Sequence, residues 1–170
     1  VPRISFEELK NTSSNIIVTS ACIASPLGKG TPEEAEEYIN FFVQNKDRCF
    51  LEIQHHNVDK QKDYNEYIIE LSKRTGIRLV AGTDTHSIDE EHAKAREILL
   101  KAKHNKFDDE EGWDLTFKSY DELLNAYSVQ NSVPYDVYME AIRNTKVIED
   151  ACESYDFDLT PKYPNLFKNP

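Results

Sequence analysis

Cys49-Phe50-Leu51-Glu52-Ile53 and Ile77-Arg78-Leu79-Val80-Ala81-Gly82 decide how this chain is read. Both are short apolar runs of strand length. Between them Tyr64, Tyr67, Ile68 and Leu71 fall at helical spacing, and Gly76 is a natural stop for that helix. Strand, helix and strand in this order make a βαβ unit, whose two strands run parallel.

The alternation extends in both directions. Upstream, Asn15-Ile16-Ile17-Val18-Thr19-Ser20 reads as a β-branched strand. Thr31-Pro32-Glu33-Glu34 reads as a capping box with proline at the first helical position. Ala35, Tyr38, Ile39, Phe42 and Val43 follow at helical spacing. Downstream, Ser87-Ile88-Asp89-Glu90 reads as another capping box, leading into Ala95, Ile98, Leu99 and Ala102. Residues 1–105 therefore read β-α-β-α-β-α, the α/β pattern of a parallel sheet or barrel.

Past residue 105 the pattern changes. Asp108-Asp109-Glu110-Glu111 reads as a solvated acidic loop with Trp113 as a loop anchor. Ser119-Tyr120-Asp121-Glu122 caps a short helix, and a longer one is predicted from about Pro134 to Cys152. That helix would place Val137, Ala141, Ile148 and Cys152 on one face. Thr160-Pro161-Lys162-Tyr163-Pro164 reads as an extended exit linker, so residues 106–170 form a helical extension.

The net charge of −11 argues against wrapping nucleic acid with the general surface. Contact with DNA would need a local site, a bound cation or a basic neighbouring domain. No apolar run approaches the roughly 20 residues that cross a bilayer, so no membrane partner is expected. The opening Val1-Pro2-Arg3-Ile4-Ser5 is no signal peptide, and Val1 in place of Met reads as a piece of a longer chain. Cys22, Cys49 and Cys152 are odd in number and widely spaced, which favours a reducing cytoplasm over a disulfide framework.

Parallel α/β folds carry their chemistry at the C-terminal ends of strands. Here the three ends carry Cys22, then His55-His56, then Asp84-Thr85-His86. Asp84 and His86 are two residues apart and so share one side of an extended chain. Each end offers a donor suited to a transition metal. Of the adjacent His55 and His56, an extended strand can turn only one inward. His92 and His104 read as surface residues, and Cys49 and Cys152 as core. No Gly-rich phosphate loop, nucleophile elbow or Cys-x-x-Cys pair is present; Gly28-Lys29-Gly30 lacks the flanking pattern.

Ser20-Ala21-Cys22-Ile23, Phe50-Leu51-Glu52-Ile53-Gln54-His55-His56 and Thr83-Asp84-Thr85-His86 resemble, in order and spacing, the later part of a PHP (polymerase and histidinol phosphatase) domain. The version they resemble stands at the front of the alpha subunit of bacterial DNA polymerase III. Asp89-Glu90-Glu91-His92-Ala93, Phe117-Lys118-Ser119 with Glu122-Leu123, Asn144-Thr145 before Ile148, and the proline-marked tail are similar to that family's continuation. Thr83 and Ser87 depart from it, standing where the family usually has Asn or Gly and often an aromatic.

The resemblance implies a distorted (β/α)7 barrel of parallel strands with metals at its C-terminal end. Cys22, Asp84 and His86 match its ligand positions; His55 and His56 match none. The family's first half, with its His-x-His and further ligands, is not in these 170 residues. The implied fold is thus a partial PHP-type barrel followed by a helical C-terminal extension. The implied cofactor is a divalent metal, zinc or manganese with magnesium as a third candidate, in an incomplete site.

The implied function is that of a segment of a replicative DNA-directed DNA polymerase, acting mainly as a structural module. The alternative is a metal-dependent phosphoesterase or 3′-5′ exonuclease when the missing half completes it. Implied partners are the rest of the polymerase chain, DNA through that chain, and a proofreading exonuclease subunit. An unrelated barrel hydrolase would call for a carbamylated lysine or a second His-x-His, and the sequence shows neither.

Overall fold

The computed structural model describes residues 4–103 and 112–161. The chain opens with a short helix, α1 (Phe6–Lys10), started by a Ser5–Glu8 capping box that the strand-and-helix alternation did not anticipate. A two-residue strand, β1 (Val18–Thr19), and a single helical turn, α2 (Pro26–Lys29), lead to α3 (Pro32–Gln44). The Thr31–Glu34 box caps α3 as expected, with each side chain bonding the other's backbone N–H. Then come β2 (Cys49–Gln54), α4 (Asp59–Thr75) and β3 (Leu79–Gly82), the βαβ unit read from the sequence. Gly76 ends α4 in the left-handed region at φ 73, where a side chain would be strained.

The remaining helices are α5 (Glu90–Ala102), α6 (Tyr120–Gln130) and α7 (Tyr135–Ala151). The three strands form one parallel sheet in the order β1-β2-β3. The fold is therefore α/β. The acidic run 108–111, His104 and Lys162-Tyr163-Pro164 lie outside the described residues.

One face of the sheet makes the core. Leu51 and Ile53 of β2 stand in register with Leu79 and Ala81 of β3. They pack with Phe42 of α3, Ile68 and Leu71 of α4, Tyr127 of α6, and Tyr138 and Ala141 of α7. Burying each large side chain stabilises the fold by roughly 1.5–3 kcal/mol. Tyr127 and Tyr138 stack at 5.0 Å with rings 7° apart, and the Tyr127 hydroxyl donates to the Ile53 carbonyl oxygen. The Asn144 side chain donates to the Leu79 carbonyl oxygen, which ties α7 to β3. The helices past residue 112 thus share the core of the sheet.

Several expectations need correction. The first strand is much shorter than residues 15–20, because Ala21 swings into the left-handed region at φ 56. The next rung is then made by a side chain, with Glu52 N–H donating to Ser20 Oγ at 2.8 Å. The cap of α5 is Asp89 rather than Ser87: its carboxylate accepts from the His92 N–H. Ser87 is instead buried in a parallel bridge with Thr116. The apolar stripe of α5 is not core either, since Ile98 and Leu99 are exposed and no residue of that helix is buried. Cys152 is exposed at the end of α7, whereas Cys49 is buried as expected.

A buried amide organises the end of β2. Asn65 Oδ1 accepts from the Gln54 N–H, and Asn65 Nδ2 donates to the Gln54 carbonyl oxygen at 2.8 Å. Gln61 and Gln130 bond the same amide, and Gln130 also donates to the carbonyl oxygens of Gln54 and His56. Asn65→Leu keeps the volume but orphans several buried groups, each costing about 1–3 kcal/mol. We expect a loss of about 3 kcal/mol or more, read from the urea midpoint of unfolding.

Candidate functional site

The three strand ends lie side by side because the sheet is parallel. Asp84 closes β3 in the left-handed region, at φ 46, a conformation aspartate tolerates better than most residues. This turn brings His86 back, so that His86 Nε2 lies 3.3 Å from Asp84 Oδ1. Both side chains are about one-third exposed, at 35% and 28%. The predicted Asp84–His86 pair is therefore assembled. Cys22 follows the left-handed Ala21 and is half-buried at the end of β1. Among the described residues, no three His, Cys, Asp or Glu side chains gather closely enough to hold a metal ion. Asp84 and His86 thus meet as a pair, to which Cys22 does not add a third side chain.

The segment after β3 is pinned by a second stretch. His86 and Ser87 donate their N–H groups to the Leu115 carbonyl oxygen, and Phe117 N–H donates to the Ser87 carbonyl oxygen. This short parallel pairing lays Trp113, Asp114 and Lys118 over the end of β2. The Trp113 ring packs on His56 at 4.9 Å, which confirms it as a loop anchor. Lys118 Nζ is bound by Asp114 Oδ2 at 2.7 Å and by Thr116 Oγ1. Burial alone would raise the Asp114 carboxyl. The hydrogen bonds from Lys118 and Thr116 outweigh it and hold that carboxyl at about 2.

Both histidines of the adjacent pair are inside, at 2% and 1% exposure, against the expectation that only one would be. Both faces of β2 are already covered along most of its length, so residues pointing to either side of this chain are buried. The rings lie 4.5 Å apart. His56 Nδ1 donates to the Asp114 carbonyl oxygen at 3.0 Å, which makes Nε2 the unprotonated nitrogen. Among the described residues Nε2 has no hydrogen-bond partner, and neither nitrogen of His55 has one. Burial, helped by Lys118 at His55 and by His55 at His56, brings both imidazoles down to about 4.

A further carboxylate, unflagged by sequence reasoning, sits on the sheet face of Thr19 and Gly82. Glu52 accepts from Thr19 Oγ1 at 3.0 Å and from Gln54 Nε2 at 2.7 Å. Gly82 makes room for it, since a Cβ there would collide with the Glu52 side chain. Its signal in the sequence was a lone acid in the apolar run 49–53.

Comparison with known proteins bears on this arrangement. DNA polymerase III subunit alpha of Treponema pallidum is 32% identical over 159 residues, covering 89% of this chain and 13% of that protein. The subunit of the same name from Borreliella burgdorferi is 29% identical over 177 residues, covering 97% of this chain and 14% of that protein. Homologues of this chain are DNA polymerase III alpha subunits. The Thermus aquaticus subunit is 31% identical over 118 residues, 66% of this chain. The chain spans 10% to 16% of the curated relatives it matches. No family model matches it. The similarity supports a segment of a replicative polymerase.

The buried imidazoles predict a pH dependence. In the fold they titrate near 4, while in the unfolded chain they return to about 6.5. Between these values the unfolded state binds more protons, so stability is full above pH 6.5 and falls as pH drops toward 4. The loss is on the order of 3 kcal/mol for each imidazole. Urea midpoints at pH 7 and pH 4.5 check this, with His55→Phe flattening the dependence.

Proposed function

We propose that this chain is the later part of the PHP module of a replicative DNA polymerase alpha subunit, and that it serves mainly as a structural platform with a partial metal site. The similarity to polymerase alpha subunits over most of the chain carries the reading. The barrel follows from the same reading. Three parallel strands would be part of a (β/α)7 barrel whose other strands come from the polypeptide that precedes this segment. The open strand edges left here would favour self-association of the isolated chain.

Asp84 and His86 are the proposed ligands, with Cys22 as a third that only the completed barrel would bring to them. An imidazole, a carboxylate and a thiolate suit zinc, and the carboxylate also suits manganese or magnesium. When bound, such a cation would polarise a phosphate ester and its attacking water. The chain's own part is narrower. Asp84 and His86 hold each other at the rim, while Lys118 and Asp114 fix the loop that shields His56. His56 Nε2 is a buried lone pair within electrostatic reach of Asp84. A platform role follows from the two-donor half-site, which on its own leaves most of a coordination shell to water or to other chain. The rest of the polymerase is the proposed partner, DNA and a proofreading exonuclease subunit being reached through it.

Elemental analysis tests the ligand assignment. The isolated chain should take up at most one equivalent of zinc or manganese. His86→Ala should weaken uptake by about tenfold or more with circular dichroism unchanged, whereas Cys22→Ala should leave uptake by the isolated chain unchanged. A chain that folds normally and takes up no metal sinks the assignment. Removal of 3′ nucleotides should be absent from the isolated chain; its presence would favour the phosphoesterase reading instead.

A further inference from the structure

Helix α7 does not run into another packed element. Its C-cap, Cys152, turns the backbone extended at φ −78, ψ 124. After Glu153 and Ser154 comes Tyr155-Asp156-Phe157-Asp158-Leu159, a strict alternation of large apolar and acidic side chains. Alternation with period two is the pattern of a strand with one buried face, and five residues is an ordinary strand length. The Tyr155 and Phe157 rings meet edge-on at 5.1 Å, which places them on the same side of the backbone. The Thr160 N–H donates to Asp158 Oδ1, a local turn that closes the run, and Pro161 cannot extend a ladder.

The apolar side of this segment is open to water, with Tyr155, Phe157 and Leu159 exposed at 74%, 74% and 87%. Single exposed apolar residues are ordinary, but three in register on one extended side mark a contact surface. Extended segments of this kind bind by adding a strand to a sheet edge while alternate side chains fill pockets.

Charge decides the class of occupant. Glu153, Asp156 and Asp158 flank the apolar side, so a phosphate backbone or an anionic membrane is repelled. At this segment a second copy is disfavoured, because the acidic flanks of two copies would meet; self-association through the open strand edges would leave the segment uncovered. The polymerase relatives continue far beyond the matched segment, which is 13% and 14% of the first two. A tethered surface in that remaining polypeptide meets the segment at high effective concentration.

We infer that Tyr155–Leu159 is a docking strand, seated on an apolar, basic-rimmed edge in the part of the polymerase polypeptide beyond these 170 residues. This rests on the polymerase reading above.

Hydrogen exchange on the full-length polypeptide tests it. The amides of residues 155–159 should exchange about 100-fold more slowly there than in the 170-residue chain. The triple variant Tyr155→Ser, Phe157→Ser, Leu159→Ser should abolish that protection while leaving the melting temperature of the 170-residue chain unchanged. Equally fast exchange in both proteins overturns the inference. Protection already present in the 170-residue chain, together with a dimer by light scattering that the variant abolishes, overturns it in favour of a second copy. Primer extension by the full-length protein is scored separately, so failure of the polymerase reading is distinguishable from failure of the docking strand.

Discussion

The side-chain amide of Asn65 bonds both the N–H and the carbonyl oxygen of Gln54, and much of the site depends on that pairing. Strand β1 contributes only two residues, so β2 outruns its neighbour on that side. Buried backbone groups left without partners there would each cost about as much as a whole surface ion pair gains several times over. Ser20 Oγ takes the first exposed rung and Asn65 the next. The helix that carries Asn65 is the crossover of the βαβ unit, so the connection that makes the sheet parallel also completes the edge of its central strand. Gln130, from a helix far along the chain, closes the same network on the carbonyl oxygens of Gln54 and His56.

With β2 held in this way and covered on both faces, the chain buries two imidazoles in succession just beyond Gln54. They tolerate burial because they are neutral. The positive charge of Lys118 and the mutual proximity of the rings reinforce that neutrality. The neighbouring strand ends use a different device: Ala21 and Asp84 both adopt left-handed backbone, next to Cys22 and before His86. Backbone strain of this kind concentrates where side chains must be aimed rather than merely packed. The pairing of residues 86–87 with 115–117 then fastens the rim from outside the sheet.

The order of elements was largely legible in the residues. Capping boxes at Thr31 and Ser119, the stop at Gly76 and the apolar runs at 49–53 and 77–82 are local signals, and each element forms where its own chemistry places it. The Asp84–His86 pair was legible for the same reason, since two residues so close in sequence need little help to meet. Where reading failed, a distant partner had won. Ser87 resembles a cap but is claimed by Thr116, leaving Asp89 to cap α5. Ile98 and Leu99 belong to a helically spaced stripe yet are exposed, with nothing among the described residues to bury them. Cys152 caps its helix one turn past Ile148, the last partly buried residue of α7.

Sequence by itself determined the α/β alternation, the parallel sense of the strands and the donor types at their ends, because period, caps and breakers act within a few residues. Only the tertiary structure decided that both His55 and His56 are buried and neutral, and that Asp114 and Lys118 lie above them. It alone decided that Glu52 occupies the space left at Gly82 and that Cys22 stands apart from Asp84 and His86. Those outcomes depend on contacts between residues tens of positions apart. Such contacts form only when packing has brought the elements together, and no local pattern encodes that.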